Sequence, residues 1–125
     1  MITQIFPLIA MLAAPTGCDE TPIEATLGRV IDGDTLEAVA HLPLHVHVDI
    51  TIRVADIDTP ELRKPLQRER ARSAKAFAEG WAMSFPEAKI YQCGRGKYGR
   101  VLALVCPSGG GTCLGDALRI AGHEK

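Results

Sequence analysis

Between Gln67 and Ser84 the chain carries one long stretch with helical period, and short runs rich in β-branched residues recur on both sides of it. No feature limits the fold more. Ala71, Ala74, Phe77, Ala78 and Trp81 fall at three-to-four spacing, with Arg68, Glu69, Arg70, Arg72, Lys75 and Glu79 between them, which predicts an amphipathic helix. The interleaved charges make its other face a solvated one. Pro65 marks its approach and Pro86 follows its end. Before it, Leu27–Val30, Leu36–Ala40 and Val46–Val54 read as strands; after it, Ala88–Cys93 and Val101–Cys106 do. Gly109-Gly110-Gly111 is a loop, and Leu114–Ala121 a short second helix. The order βββ-α-ββ-α predicts an α+β, mainly β fold: a five-stranded OB-type barrel with two packed helices.

With 125 residues, the chain is too short for a multi-domain enzyme. Its net charge of −1 excludes a protein that is basic throughout, so contact with nucleic acid must come from a local Arg and Lys cluster. The uncharged run Ile5–Ala14 is too short to span a bilayer and suits the apolar region of a secretory leader. Ala13, Ala14 and Gly17 supply small residues for cleavage, although Met1–Gln4 lacks the usual cation. A signal peptide over residues 1–18, a domain over 24–125 and a secreted or periplasmic location are therefore expected. Lipidation at Cys18 is disfavoured, because Pro15-Thr16-Gly17 is a poor lipobox. Cys18, Cys93, Cys106 and Cys113 form an even set with three possible pairings, and the absence of C-x-x-C excludes zinc-ribbon and thioredoxin motifs.

Gly94-x-Gly96-x-x-Gly99 matches a dinucleotide-binding pattern, but the segment after it, Arg100–Cys106, is β-prone instead of helical. The glycines belong to a hairpin that presents Arg95, Lys97 and Arg100 together. Asp32-Gly33-Asp34-Thr35 is by itself a hairpin signal, and Asp58-Thr59-Pro60-Glu61 an ordinary strand end. Together they offer two acidic turns able to converge on one hard cation, Ca²⁺ or Mg²⁺ rather than zinc, and without EF-hand spacing. Arg53 stands in a β-branched strand five residues before Asp58. Carboxylates for a metal, guanidiniums for phosphate and Glu61 to activate water make a phosphoryl-transfer set. His45-x-His47 with His41 lacks a third ligand at zinc spacing, so these are expected as solvent-facing hairpin residues, and His123 as a surface residue.

Four blocks now stand in order: Val30–Thr35, Ile52-Arg53 running into Ile57–Glu61, an Ala-rich helix, and Lys97-Tyr98-Gly99-Arg100 with Leu102-Ala103. In that ordered conjunction the chain resembles the thermonuclease, or staphylococcal nuclease-like, family from about Leu27 to Gly122. The resemblance implies an OB-type barrel and Ca²⁺ held by Asp34, Asp58 and the Thr59 carbonyl. It implies Glu61 placing or deprotonating the attacking water, Arg53 and Arg100 on the scissile phosphate, and Lys97 and Tyr98 on a terminal phosphate or adjoining backbone. The implied reaction is hydrolysis of DNA and RNA, single-stranded or frayed, to 3′-phosphates by a monomer with no protein partner. Sequence preference should be weak and salt dependence strong, since nothing resembles a groove-reading helix. The other reading is a non-catalytic nucleic-acid-binding OB module, which would typically lack some of these carboxylates or arginines.

The segment from Asp34 to Arg53 is longer than in the best-known member of that family, so an extended hairpin over His41–Asp49 is expected. Cys93 with Cys106, or Cys106 with Cys113, are the favoured disulfides.

Overall fold

The computed structural model describes residues 17–125. The leader expected over residues 1–18 falls, apart from its last two positions, outside them. Strands β1 (Ile23–Asp32), β2 (Thr35–Leu42), β3 (Val46–Val54), β4 (Glu87–Arg95) and β5 (Val101–Pro107) close into a barrel in the order β1-β2-β3-β5-β4. Helix α1 (Arg68–Ser84) links β3 to β4, and α2 (Leu114–Ile120) comes after β5. The expected α+β, mainly β, OB-like barrel with two helices is what forms.

Burial alternates along β2, where Leu36, Ala38 and Ala40 point inward, as the two-residue strand period requires. With Ala25, Val30, Ile52, Val54, Ala88, Ile90, Ala103 and Val105 they fill the barrel. Small residues at Ala71, Ala74 and Ala78 let α1 approach closely, while Trp81 closes its far end against Phe85. Leu114 and Leu118 anchor α2 in the same core. Closure leaves no long free strand edge among the described residues for another chain to pair with. The seam that completes it is short and parallel: Ile52↔Val101, Arg53↔Leu102 and Val54↔Ala103.

Strands run further than local composition indicates. β1 begins at Ile23 because the stretch Ile23–Thr26 pairs with β4 and, from Glu24 on, with β2 as well, a gain no local window records. β2 and β3 pair from Thr35↔Arg53 out to Leu42↔Val46, giving the extended hairpin. The disulfides are Cys18–Cys93 and Cys106–Cys113. The second was expected, but the expected Cys93–Cys106 bridge is not formed. Register explains why: Cys106 sits opposite Lys89, four positions from Cys93 along β4, or about 13 Å, too far for a disulfide. With its sulfur in a disulfide, Cys18 has no thiol to lipidate. Among the described residues, no helix is long and apolar enough to cross a membrane.

Candidate active site

Two turns from separate strands meet at the start of the β2–β3 ladder. Gly33-Asp34 is the tight connection between β1 and β2, closed by the pair Asp32↔Thr35. The chain leaving β3 forms the second turn, and Val54 donates its amide to the Asp34 carbonyl at 2.8 Å, locking the two together. Gly33 is not needed here for a positive φ. It is needed for space: a Cβ would lie 2.8 Å from the Ala74 Cβ and 2.9 Å from Thr59 Oγ1.

Asp34 is buried, and its carboxylate accepts from the Thr59 amide at 2.9 Å and from the Thr35 hydroxyl at 3.0 Å. Arg53, opposite Thr35 in the ladder, aims its guanidinium into the same space. Its Nη2 lies 2.9 Å from Asp58 Oδ1 and 3.3 Å from Asp34 Oδ2, so one nitrogen bridges both carboxylates. Its Nη1 donates to the Val54 and Ile57 carbonyls at 2.6 and 2.7 Å, which shapes the turn that delivers Asp58. Thr59 is fully buried, and its Oγ1 has no hydrogen-bond partner.

Glu61 occupies the same loop but engages cations: Lys64 at 3.2 Å, Arg63 at 3.0 Å and Lys125 at 3.3 Å. These bonds, Lys64's foremost, hold its carboxyl well below the usual range, at about 2. The Gln67 side chain accepts the Glu61 amide at 3.0 Å, and the Lys125 amide donates to the Asp58 carbonyl at 2.7 Å. Asp32 flanks the cluster, its carboxyl pushed up chiefly by burial and further by the charges of Asp34 and Glu61. Asp32, Gln67 and Lys125 were not among the expected site residues. The Asp-Gly-Asp triplet did signal Asp32, whereas nothing local ties Lys125 to a loop 64 residues away.

The β4–β5 hairpin stands apart. Its turn holds Lys97-Tyr98-Gly99, with Tyr98 at φ 60° and almost fully exposed. Arg100 Nε donates to the Lys97 carbonyl at 3.1 Å, and its guanidinium lies 5.9 Å from the Tyr98 ring centre. Arg100 enters β5 beside the seam that contains Arg53, but it makes no hydrogen bond or ion pair with Asp34, Arg53, Asp58 or Glu61. The structure thus brings Asp34, Arg53, Asp58 and Thr59 together, puts Glu61 at their edge, and leaves Lys97, Tyr98 and Arg100 on a neighbouring loop. A groove lined by Glu37, Asp49, Ile50, Gly99 and Val101 runs along the barrel. Its two acids give it the wrong sign for a polyanion.

Two carboxylates and a main-chain carbonyl are hard oxygen donors of the kind Ca²⁺ accepts, with water completing the shell beside the exposed Asp58. They fit that ion. Among the described residues, no three His, Cys, Asp or Glu side chains gather into a metal-ligand group, so side chains alone do not make a full cage. No protein-family model matches the chain, and no curated protein matches it significantly.

Proposed function

We propose that the chain is a secreted, calcium-dependent nuclease that hydrolyses phosphodiester bonds of DNA and RNA with little sequence preference, leaving 3′-phosphates. The observation that carries this reading is the bridging of Asp34 and Asp58 by a single nitrogen of Arg53. Two acidic turns far apart in sequence share one point, and a guanidinium is already there. Export accords with two disulfides and the apolar N-terminal run, with cleavage before Cys18 instead of after it, so that the Cys18–Cys93 bridge is kept.

Asp34, Asp58 and the Thr59 carbonyl would hold Ca²⁺. When bound, the ion would supply Lewis-acid polarisation of the phosphate and lower the pKa of water. The residues of the chain do the rest. Arg53 stays anchored through the two carbonyl bonds of Nη1, while its Nη2 would leave Asp34 and Asp58 for a phosphate oxygen once the ion takes the carboxylates. Arg100, released from the Lys97 carbonyl, would add a second guanidinium. Lys97 and Tyr98, exposed on the same loop, would contact adjoining phosphates. Glu61, with a carboxyl near 2, stays ionised and orients water by accepting its hydrogen bond; as a proton acceptor it is weak until its cations withdraw.

That ion pairing of Glu61 and the withdrawn Arg100 favour a second reading, a non-catalytic nucleic-acid-binding barrel. Incubating the purified protein with single-stranded DNA in Ca²⁺ and then in chelator, beside Glu61→Ala and Arg100→Ala, separates the two. The nuclease reading expects chelator-sensitive cleavage that both substitutions depress by about 10²–10³. Equal, chelator-insensitive digestion by all three would sink it, and tight binding without cleavage would establish the second reading.

A further inference from the structure

On the outer barrel surface, four side chains from four neighbouring strands form one hydrogen-bonded row. The Glu87 carboxylate on β4 accepts from the Thr26 hydroxyl on β1 at 3.2 and 3.3 Å. Thr26 Oγ1 lies 2.7 Å from His41 Nε2 on β2, and His41 Nδ1 lies 2.8 Å from His47 Nδ1 on β3. Register builds the row, since Thr26 pairs with Glu87 and His41 with His47. It sits six ladder positions from Thr35↔Arg53, about 20 Å from the carboxylate turns. His41 and His47 were expected as solvent-facing hairpin residues; His47 is exposed and His41 half-buried, and the two also bond each other.

Counting protons assigns the tautomers. The one hydroxyl proton of Thr26 goes to Glu87, so its oxygen must accept from His41, which puts the His41 proton on Nε2. With that single ring proton on Nε2, His41 offers a lone pair at Nδ1. The contact there requires the proton of His47 Nδ1, so two facing nitrogens share one proton.

We infer that His41 and His47 bind a late first-row transition dication, Cu²⁺ or Ni²⁺, through their Nδ1 atoms. The ion displaces the shared proton, which moves to the Nε2 of His47, and both rings turn so that their Nδ1 lone pairs face the ion. Thr26 and Glu87 supply the outer hydrogen bonds that orient a ligating imidazole and raise its basicity. The donor type narrows the metal: imidazole nitrogens suit late first-row dications, and the affinity order among these metals places Cu²⁺ and Ni²⁺ above the earlier ones. The 2.8 Å contact puts both donor nitrogens within reach of one such ion. Exposure of His47 lets water complete the coordination.

Calorimetric titration with CuCl₂ and with NiCl₂ tests this on the purified chain and on His41→Ala, His47→Ala, His45→Ala and Glu87→Gln, each checked for folding by circular dichroism. Expected is one equivalent bound by the parent and by His45→Ala, binding about tenfold weaker in Glu87→Gln, and none at this site in the other two variants. Parent-like affinity in both His41→Ala and His47→Ala would overturn the site. Imidazole ¹⁵N spectra of the metal-free parent give a second measurement. Nε2–H on His41 with Nδ1–H on His47 is expected, and Nδ1–H on His41 would overturn the proton assignment.

Discussion

The backbone amide of Thr59 donates to Asp34 Oδ2 at 2.9 Å, so the main chain of one turn holds the buried carboxylate of the other. Asp34→Ala would orphan that amide and also remove a charge facing Arg53, costing about 2–3 kcal/mol by urea unfolding. Asp58 is 61% exposed, so Asp58→Ala should cost under about 1 kcal/mol. Both should abolish any rise in Tm that Ca²⁺ gives the parent and that chelator reverses. A Ca²⁺-dependent rise surviving in both variants would separate the ion from this cluster.

Gly33→Ala places a methyl against Ala74 and Thr59 at distances real side chains do not tolerate. Overpacking of this kind costs about 1–3 kcal/mol. Because the clash pushes on Thr59 itself, turnover should fall along with Tm. Gly109→Ala, with open space around it, should leave both unchanged.

Glu61 should stay ionised to about pH 2 in a carboxyl ¹³C titration, and Lys64→Ala should move its midpoint upward most, since that bond contributes most. Its carboxyl is depressed in the folded chain. Its contribution to stability is therefore complete above the ordinary value of 4.5 and is lost as pH falls from there through about 2. Asp32, raised by burial, acts in the opposite sense: folding gains from it as acid protonates it.

Cys18–Cys93 closes a separation of 75 residues and Cys106–Cys113 one of 7. Loop-closure entropy assigns them about 4 and about 2 kcal/mol. Replacing the first pair by serine should lower Tm more than replacing the second. The reverse order would mean that the arm at Cys18 is already ordered by its other ties, such as the Asp19 amide on the Gln92 carbonyl.

What could be read from the sequence was what local chemistry decides. The helix Arg68–Ser84 was visible because its Ala face and two flanking prolines are neighbours in sequence. The convergence of Asp34, Arg53 and Asp58 was visible because each stands at a strand end or turn. The Cys106–Cys113 bridge was visible too, seven residues apart across the glycine loop, but Cys18–Cys93 was not, since the segment before β1 meets β4 only in the fold. Nor was the posture of Arg100: a long side chain takes whatever carbonyl lies in reach, and the chosen one is in its own loop. The His41–His47 bond waited on a ladder whose register no motif records.

Arg53 is the middle of the three register pairs that join β3 to β5. The guanidinium centre therefore rides on the stave where the barrel is most thinly fastened, and any breathing that parts this join carries the proposed chemistry with it. Amides of Val101 to Ala103 should exchange with solvent sooner than those of the long β2–β3 ladder, and a bound polyanion spanning the join would slow them.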